Sequence, residues 1–248
     1  MIELTSVTKT FGGLRAVDNV SFRVNEGSLT AIIGPNGAGK TTLFNLIAGA
    51  LTPTNGHIDF MGKNLPPAPH KAAKRGIART FQNVRLFHDM TVLENVLCAW
   101  NTGSFMGNSI WPIGYREDER LRMKRASYIL EDLGLGDDRN TRAGDLPFGK
   151  QRMAEIARAL ALSPRLLLLD EPAAGLNRTE SAELGKIIRH IVSGGVTVLL
   201  VEHDMQLVMR LAERVIVLES GSLIADGAPS SVAGDPRVIE AYLGAAEC

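Results

Sequence analysis

Cysteine is scarce: the chain has two, Cys98 and Cys248, far apart and without the spacing of metal ligands. That excludes a disulfide framework, and a reducing cytosolic setting is the default expectation. Neither sign of charge is in excess, because 27 Lys and Arg are matched by 27 Asp and Glu. A nucleic-acid binder normally carries a basic surplus, so nucleic acid is not expected among the partners. No apolar run approaches the roughly 20 residues that cross a bilayer. The longest, Leu166–Leu169 and Val196–Val201, have the length of strands. The start, Met1-Ile2-Glu3-Leu4, lacks the basic and apolar regions of an export signal. The expectation is a soluble chain that meets a membrane only through a partner.

Within the 248 residues, the first stretch reads as β-rich. Ile2–Val7 and Ser21–Val24 alternate in character, with turn signals at Gly12-Gly13 and Asn25-Glu26-Gly27. Ser28–Ile33 reads as a buried strand, Lys40–Ala50 as a helix, and Gly56–Phe60 as a further strand before the turn at Leu65–Pro69. From about Thr91 to Ser163 helical spacing dominates, including a charged helix over Leu121–Leu133. Asn101–Tyr115 is a long Gly- and Asn-containing loop with interspersed aromatics. Strands return at Leu166–Asp170, Thr197–Val201, Arg214–Leu218 and Ser222–Ala225, with helices at Thr179–Ile191 and Met205–Leu211. This alternation predicts an α/β core with a mainly parallel sheet, interrupted by a helical insertion.

Gly34-Pro35-Asn36-Gly37-Ala38-Gly39-Lys40-Thr41 fits the phosphate-loop pattern without a mismatch, between a predicted strand and a predicted helix. Gly37 and Gly39 let main-chain amides approach phosphate oxygens that a Cβ would obstruct. The helix that begins there turns its positive end toward the same anion. Lys40 adds a point charge, and the Thr41 hydroxyl can ligate Mg²⁺. Gly34, Asn36, Ala38 and Thr42 complete the candidate ATP-binding segment. Downstream, four leucines lead into Asp170-Glu171. Two acids at the carboxyl end of a buried strand emerge where open α/β sheets bind ligands. Asp170 is placed for the Mg²⁺ shell, and Glu171 for polarising a water, a role worth roughly 10²–10⁴ in rate.

Further segments follow in a fixed order: Gly76-Ile77-Ala78-Arg79-Thr80-Phe81-Gln82-Asn83, Leu146-Pro147-Phe148-Gly149-Lys150-Gln151-Arg152, Pro172–Asn177, and Val201-Glu202-His203-Asp204. Together they resemble the ATP-binding subunits of ABC transporters over essentially the whole chain. The segments starting at Phe11, Ala78, Ala173 and Asp235 look like the branched-chain amino-acid importer branch. The resemblance implies a P-loop NTPase core (1–87 and 164–248), an N-terminal antiparallel β subdomain, and a helical insertion at 88–163. By position it implies that Gln82 senses Mg²⁺ and the γ-phosphate, that His203 positions the attacking water, and that Phe11 stacks on adenine.

The resemblance further implies an ATPase at the cytoplasmic face of the membrane, energising an importer. Its partners would be a second ABC ATPase subunit, related or identical, the transmembrane permease and, indirectly, a solute-binding protein. Leu146 and Gly149 would reach the partner's ATP, and Val84–Phe87 would face the permease. Two departures stand out. Pro147 supplies neither hydroxyl nor amide hydrogen where the family has Ser. Asn177 stands where much of the family has Asp.

Other readings compete. A urea or short-amide importer would share this ATPase, which never touches cargo. A non-transport ABC ATPase would carry coiled coils, zinc modules or tandem cores that are lacking here. A kinase would lack the Leu146–Arg152 element, and a GTPase needs a guanine-reading Asn-Lys-x-Asp segment that does not occur.

Overall fold

A computed structural model of the chain describes residues 1–101 and 112–243. The elements run β1 (Ile2–Phe11), β2 (Leu14–Val24), β3 (Leu29–Ile33), α1 (Lys40–Ile47), β4 (Asn55–Phe60), β5 (Lys63–Asn64) and α2 (Pro69–Lys74). They continue β6 (Ile77–Arg79), α3 (Val92–Leu97), α4 (Pro112–Asp132), α5 (Phe148–Ala161), β7 (Leu166–Asp170) and α6 (Arg178–Ser193). The last are β8 (Thr197–Val201), α7 (Met205–Leu211), β9 (Arg214–Glu219), β10 (Ser222–Gly227), α8 (Pro229–Ala233) and α9 (Pro236–Leu243).

Two sheets result. The antiparallel one has the order β2-β1-β4-β5 and the larger one β10-β9-β3-β8-β7-β6. In the larger sheet every pairing is parallel except the β9–β10 hairpin. The α/β class with a mainly parallel sheet and an N-terminal antiparallel sheet is therefore as the sequence predicts. β1 and β2 run further than expected, pairing as far as Phe11 with Leu14 around the Gly12-Gly13 turn. The short α2, β6, α8 and α9 were not anticipated. The predicted loop Asn101–Tyr115 is corrected in part. Residues 102–111 lie outside the described residues, but Pro112–Tyr115 form the first turn of α4. Proline is compatible with a first helical turn, where its missing amide hydrogen is not needed.

Side-chain alternation makes the large sheet a partition between two apolar clusters. Ala31, Ile33, Leu167, Leu169, Leu200 and Val215 face one cluster, shared with α3, α4, α5 and α6. Ile32, Leu166, Leu168, Leu199 and Ile216 face the other, shared with α1 and the antiparallel sheet. The period of two then puts Asp170 on the face of Leu166 and Leu168, toward α1, at the strand's carboxyl end. Apolar residues of α3, α4 and α5 belong to the first cluster rather than to a core of their own. No helix among the described residues is long and apolar enough to cross a membrane.

Candidate functional site

The loop between β3 and α1 is shaped by close backbone contacts. A Cβ on Gly34 would lie 2.1 Å from the Leu218 carbonyl oxygen, and one on Gly39 would lie 2.2 Å from that of Ala16. Gly39 also has φ 96, the left-handed region. At Gly37 nothing lies within 4 Å, so space is open on that side of the loop. Gly39 caps α1 without a side chain, and the first turn carries no acid, so the helix amides face outward uncompensated. Asn36, Gly37 and Thr41 are exposed, Thr42 is half-buried, and Gly34 and Ala38 are buried.

Lys40 folds back across this loop, donating to the carbonyls of Gly34 at 2.6 Å and Pro35 at 2.9 Å. Burial pushes its ammonium below the ordinary lysine range, while the carboxylates of Glu171 and Asp170 pull the other way. Four segments far apart in sequence, around Lys40, Gln82, Glu171 and His203, meet at one point. Glu171 is the first residue after β7, and its N–H donates to the Val201 carbonyl at 2.9 Å. Its φ of 46 places it in the left-handed region, unusual for a residue with a Cβ. Gln82 Nε2 donates to Glu171 Oε2 at 2.9 Å, and His203 Nδ1 stands 3.7 Å from the same oxygen. His203 is mostly exposed, whereas only a fifth of the Glu171 side chain is accessible.

Asp170 is nearly buried and paired: Arg79 Nη2 meets its Oδ2 at 2.7 Å. Arg79 also donates to Asn45 Oδ1 on α1 and lies over the rings of Phe44 and Phe81. It thus ties β6, α1 and the end of β7 together. Glu202, fully buried, accepts from the Ala173 amide at 2.7 Å and the His203 amide at 3.1 Å. Burial pushes its carboxyl above the ordinary glutamate value, against the pull of those amides.

The remaining predicted residues stand apart from this cluster. Phe11 is at the tip of the β1–β2 hairpin, 46% exposed, with Lys9 Nζ 5.1 Å from its ring centroid. Leu146 is buried, and its carbonyl accepts from the Gln151 amide side chain. Pro147 caps α5, and Gly149 sits so close to Glu180 that a Cβ would be 2.9 Å from its Oε1. The Phe148 ring packs on Gly175. Asn177 caps α6, its Oδ1 accepting from the amides of Thr179 and Glu180, a task Asn and Asp perform equally.

Sequence reasoning gave no role to Arg79, Arg152, Glu155 or Glu202. Arg152 and Glu155 are buried to within 2% and are paired at 3.2 Å. A usable signal existed: Arg152 precedes Ile156 by four residues and so shares the apolar stripe of α5.

Comparison with known proteins gives a consistent result. The family "ABC transporter" matches residues 17–174, and "Branched-chain amino acid ATP-binding cassette transporter" matches residues 222–247. The chain is 44% identical to the high-affinity branched-chain amino acid transport ATP-binding protein BraF of Pseudomonas aeruginosa, covering 99% of this chain and 98% of that one. It is 42% identical to the Escherichia coli protein LivG, described in the same words, with the same coverage. Among solved structures, the ADP conformation of MJ1267, an ATP-binding cassette of an ABC transporter, superposes with TM-score 0.86 at 32% identity, covering 98% of both chains. The dimeric MJ0796, a bacterial ABC transporter cassette, gives TM-score 0.76 at 30% identity, covering 92% of this chain and 99% of that one.

Proposed function

Because the chain belongs to the ABC transporter ATP-binding family, we propose that it is the ATPase subunit of an importer for branched-chain amino acids. The observation that carries the catalytic reading is the Gln82–Glu171 bond at the end of β7, next to the phosphate loop whose Lys40 senses both carboxylates.

Nucleotide triphosphate lies along Gly34–Thr42, where Lys40 leaves its two carbonyl partners for the β- and γ-phosphates. The open side at Gly37 and the uncapped α1 amides suit that anion. Mg²⁺, when bound, supplies positive charge to the phosphate oxygens. The donor set fits it: the Thr41 hydroxyl, the Asp170 carboxylate and the Gln82 amide are hard oxygens. No group of three or more His, Cys, Asp or Glu among the described residues could hold a metal alone, which suits an ion shared with phosphate. Glu171 takes the proton of the attacking water, Gln82 orients that carboxylate, and His203 contacts the γ-phosphate and positions the water. Phe11, on its hairpin tip, stacks on adenine.

Leu146 and Gly149 present the start of α5 to the nucleotide of a second ATPase subunit, as the dimeric cassette supports. Residues 88–163 act as the helical insertion between the core segments 1–87 and 164–248, and Val84–Phe87 carry the stroke to the permease. The chain is then peripheral on the cytoplasmic face, indirectly served by a solute-binding protein.

Purification from membranes tests this reading. The attached subunits should include a permease and a second ATPase, and a branched-chain amino acid with its binding protein should raise ATP turnover. Glu171→Gln should retain ATP but lower turnover by about 10²-fold or more. Near-normal hydrolysis by that variant would remove Glu171 as the base.

A further inference from the structure

Between β6 and α3 the chain from Thr80 to Met90 forms neither helix nor strand, so its main-chain groups need partners from elsewhere. One turn of α5 supplies partners for four of them, while β7 and Asn95 serve others. Arg152 Nη1 donates to the Phe81 carbonyl and Nη2 to the Gln82 carbonyl, both at 2.8 Å. Glu155 Oε1 accepts from the amides of Phe81 at 3.3 Å and Arg85 at 3.4 Å. The two side chains also pair with each other, and Arg152 Nε, buried, has no hydrogen-bond partner.

As a stability device this arrangement is poor. A buried ion pair recovers little more than its desolvation cost, and apolar residues of similar volume often do better. An unpartnered buried nitrogen adds a further penalty. What the pair provides is placement. Four main-chain groups of one irregular segment are fixed to one rigid helical turn, and the clamped residues Phe81, Gln82 and Arg85 include the one whose side chain reaches Glu171.

We propose that Arg152 and Glu155 are positioning residues for Gln82, holding its backbone so that its side chain meets Glu171. The inference rests on the catalytic reading of Gln82 given above and deepens it. Gly149, at the start of α5, lies one helical turn before Arg152 on the same face.

A double-mutant cycle on the full-length chain, assembled with the subunits that co-purify with it, tests the clamp. Arg152→Met should lower kcat about 10- to 10²-fold, the scale of a 1 Å misplacement. KM for Mg·ATP and affinity for Mg·ADP should change less than kcat does, since the phosphate loop and Asp170 still hold the nucleotide and its metal. In a Gln82→Ala background the same substitution should cost less than about threefold, because its target is already gone. Arg152→Lys should recover part of the rate.

Unchanged kcat in Arg152→Met, or an equal loss with and without Gln82, overturns the clamp. Should Arg152→Met fail to fold, Arg152→Lys and Glu155→Gln carry the same cycle with the same criteria. Full turnover by Gln82→Ala alone would overturn the catalytic reading of Gln82 and the clamp with it. An impaired Gln82→Ala with additive Arg152 losses overturns only the clamp.

Discussion

Replacing Arg79 by Met isolates what the charge pair at the end of β7 contributes. The Arg79 side chain is 12% exposed and that of Asp170 is 5% exposed, so neither is screened well by water. Removing one member of a buried pair strands the other, at a cost of about 3–5 kcal/mol. The nearby Lys40 ammonium offsets part of this, since its charge is already coupled to Asp170. We therefore take the lower end, about 3 kcal/mol. For a domain of this size about 2–4 °C of melting temperature is lost per kcal/mol, so Arg79→Met should melt about 6–12 °C lower.

Two controls sharpen that expectation. Saturating Mg·ADP should narrow the gap, because a divalent ion at Asp170 replaces the missing positive charge and ligand binding stabilises by mass action. Arg79→Met combined with Asp170→Asn should melt no lower than the worse single variant, since no stranded charge remains. Scanning calorimetry on the four proteins provides the measurement. A melting point for Arg79→Met within about 2 °C of the parent, or additive losses in the double variant, would refute the argument.

Other perturbations bear on separate parts of the molecule. Lys40→Ala should weaken ATP binding about 10- to 10²-fold, as expected for a lost charge-assisted contact; calorimetric titration measures it, and unchanged affinity would count against the phosphate loop. Arg85→Glu should abolish amino-acid uptake while basal hydrolysis persists, assayed in parallel in reconstituted vesicles; intact uptake would argue against docking at Val84–Phe87. Burial raises the Glu202 carboxyl above the ordinary value of 4.5. The folded chain then keeps a proton that the unfolded chain releases. Stability therefore falls as pH rises from 4.5 through the raised folded value, and the loss is complete above it. Glu202→Gln does not titrate, so its melting curve should lack that descent relative to the parent.

Legibility in the sequence followed the distance between interacting residues. The phosphate loop is contiguous, and the leucine strand with its two terminal acids is a run of six, so both could be read directly. The apolar runs of the large sheet could be read as buried strands, but which of their residues face α1 and which face α5 is shown only by the fold. Arg79 and Asp170, however, are 91 residues apart, and Glu155 and Arg85 are 70 apart. Such pairings leave no local pattern, because only the folded sheet brings β6 beside β7 and α5. β6 itself has three residues, too few for periodicity to register. Arg152 sat inside a segment singled out for its first four residues, and its burial could be inferred only from the apolar stripe it shares.

The backbone at Glu171 has a practical consequence for anyone seeking a hardier form of this protein. A residue with a Cβ in the left-handed region lies about 1–2 kcal/mol above its relaxed state, and glycine at 171 would escape that burden. A library sorted only for heat resistance would therefore enrich Glu171→Gly. It would recover chains that outlast the parent in the calorimeter and have lost the carboxylate that the proposed reaction depends on. Selection on thermal tolerance and selection on turnover pull this position in opposite directions, and a useful screen has to score both.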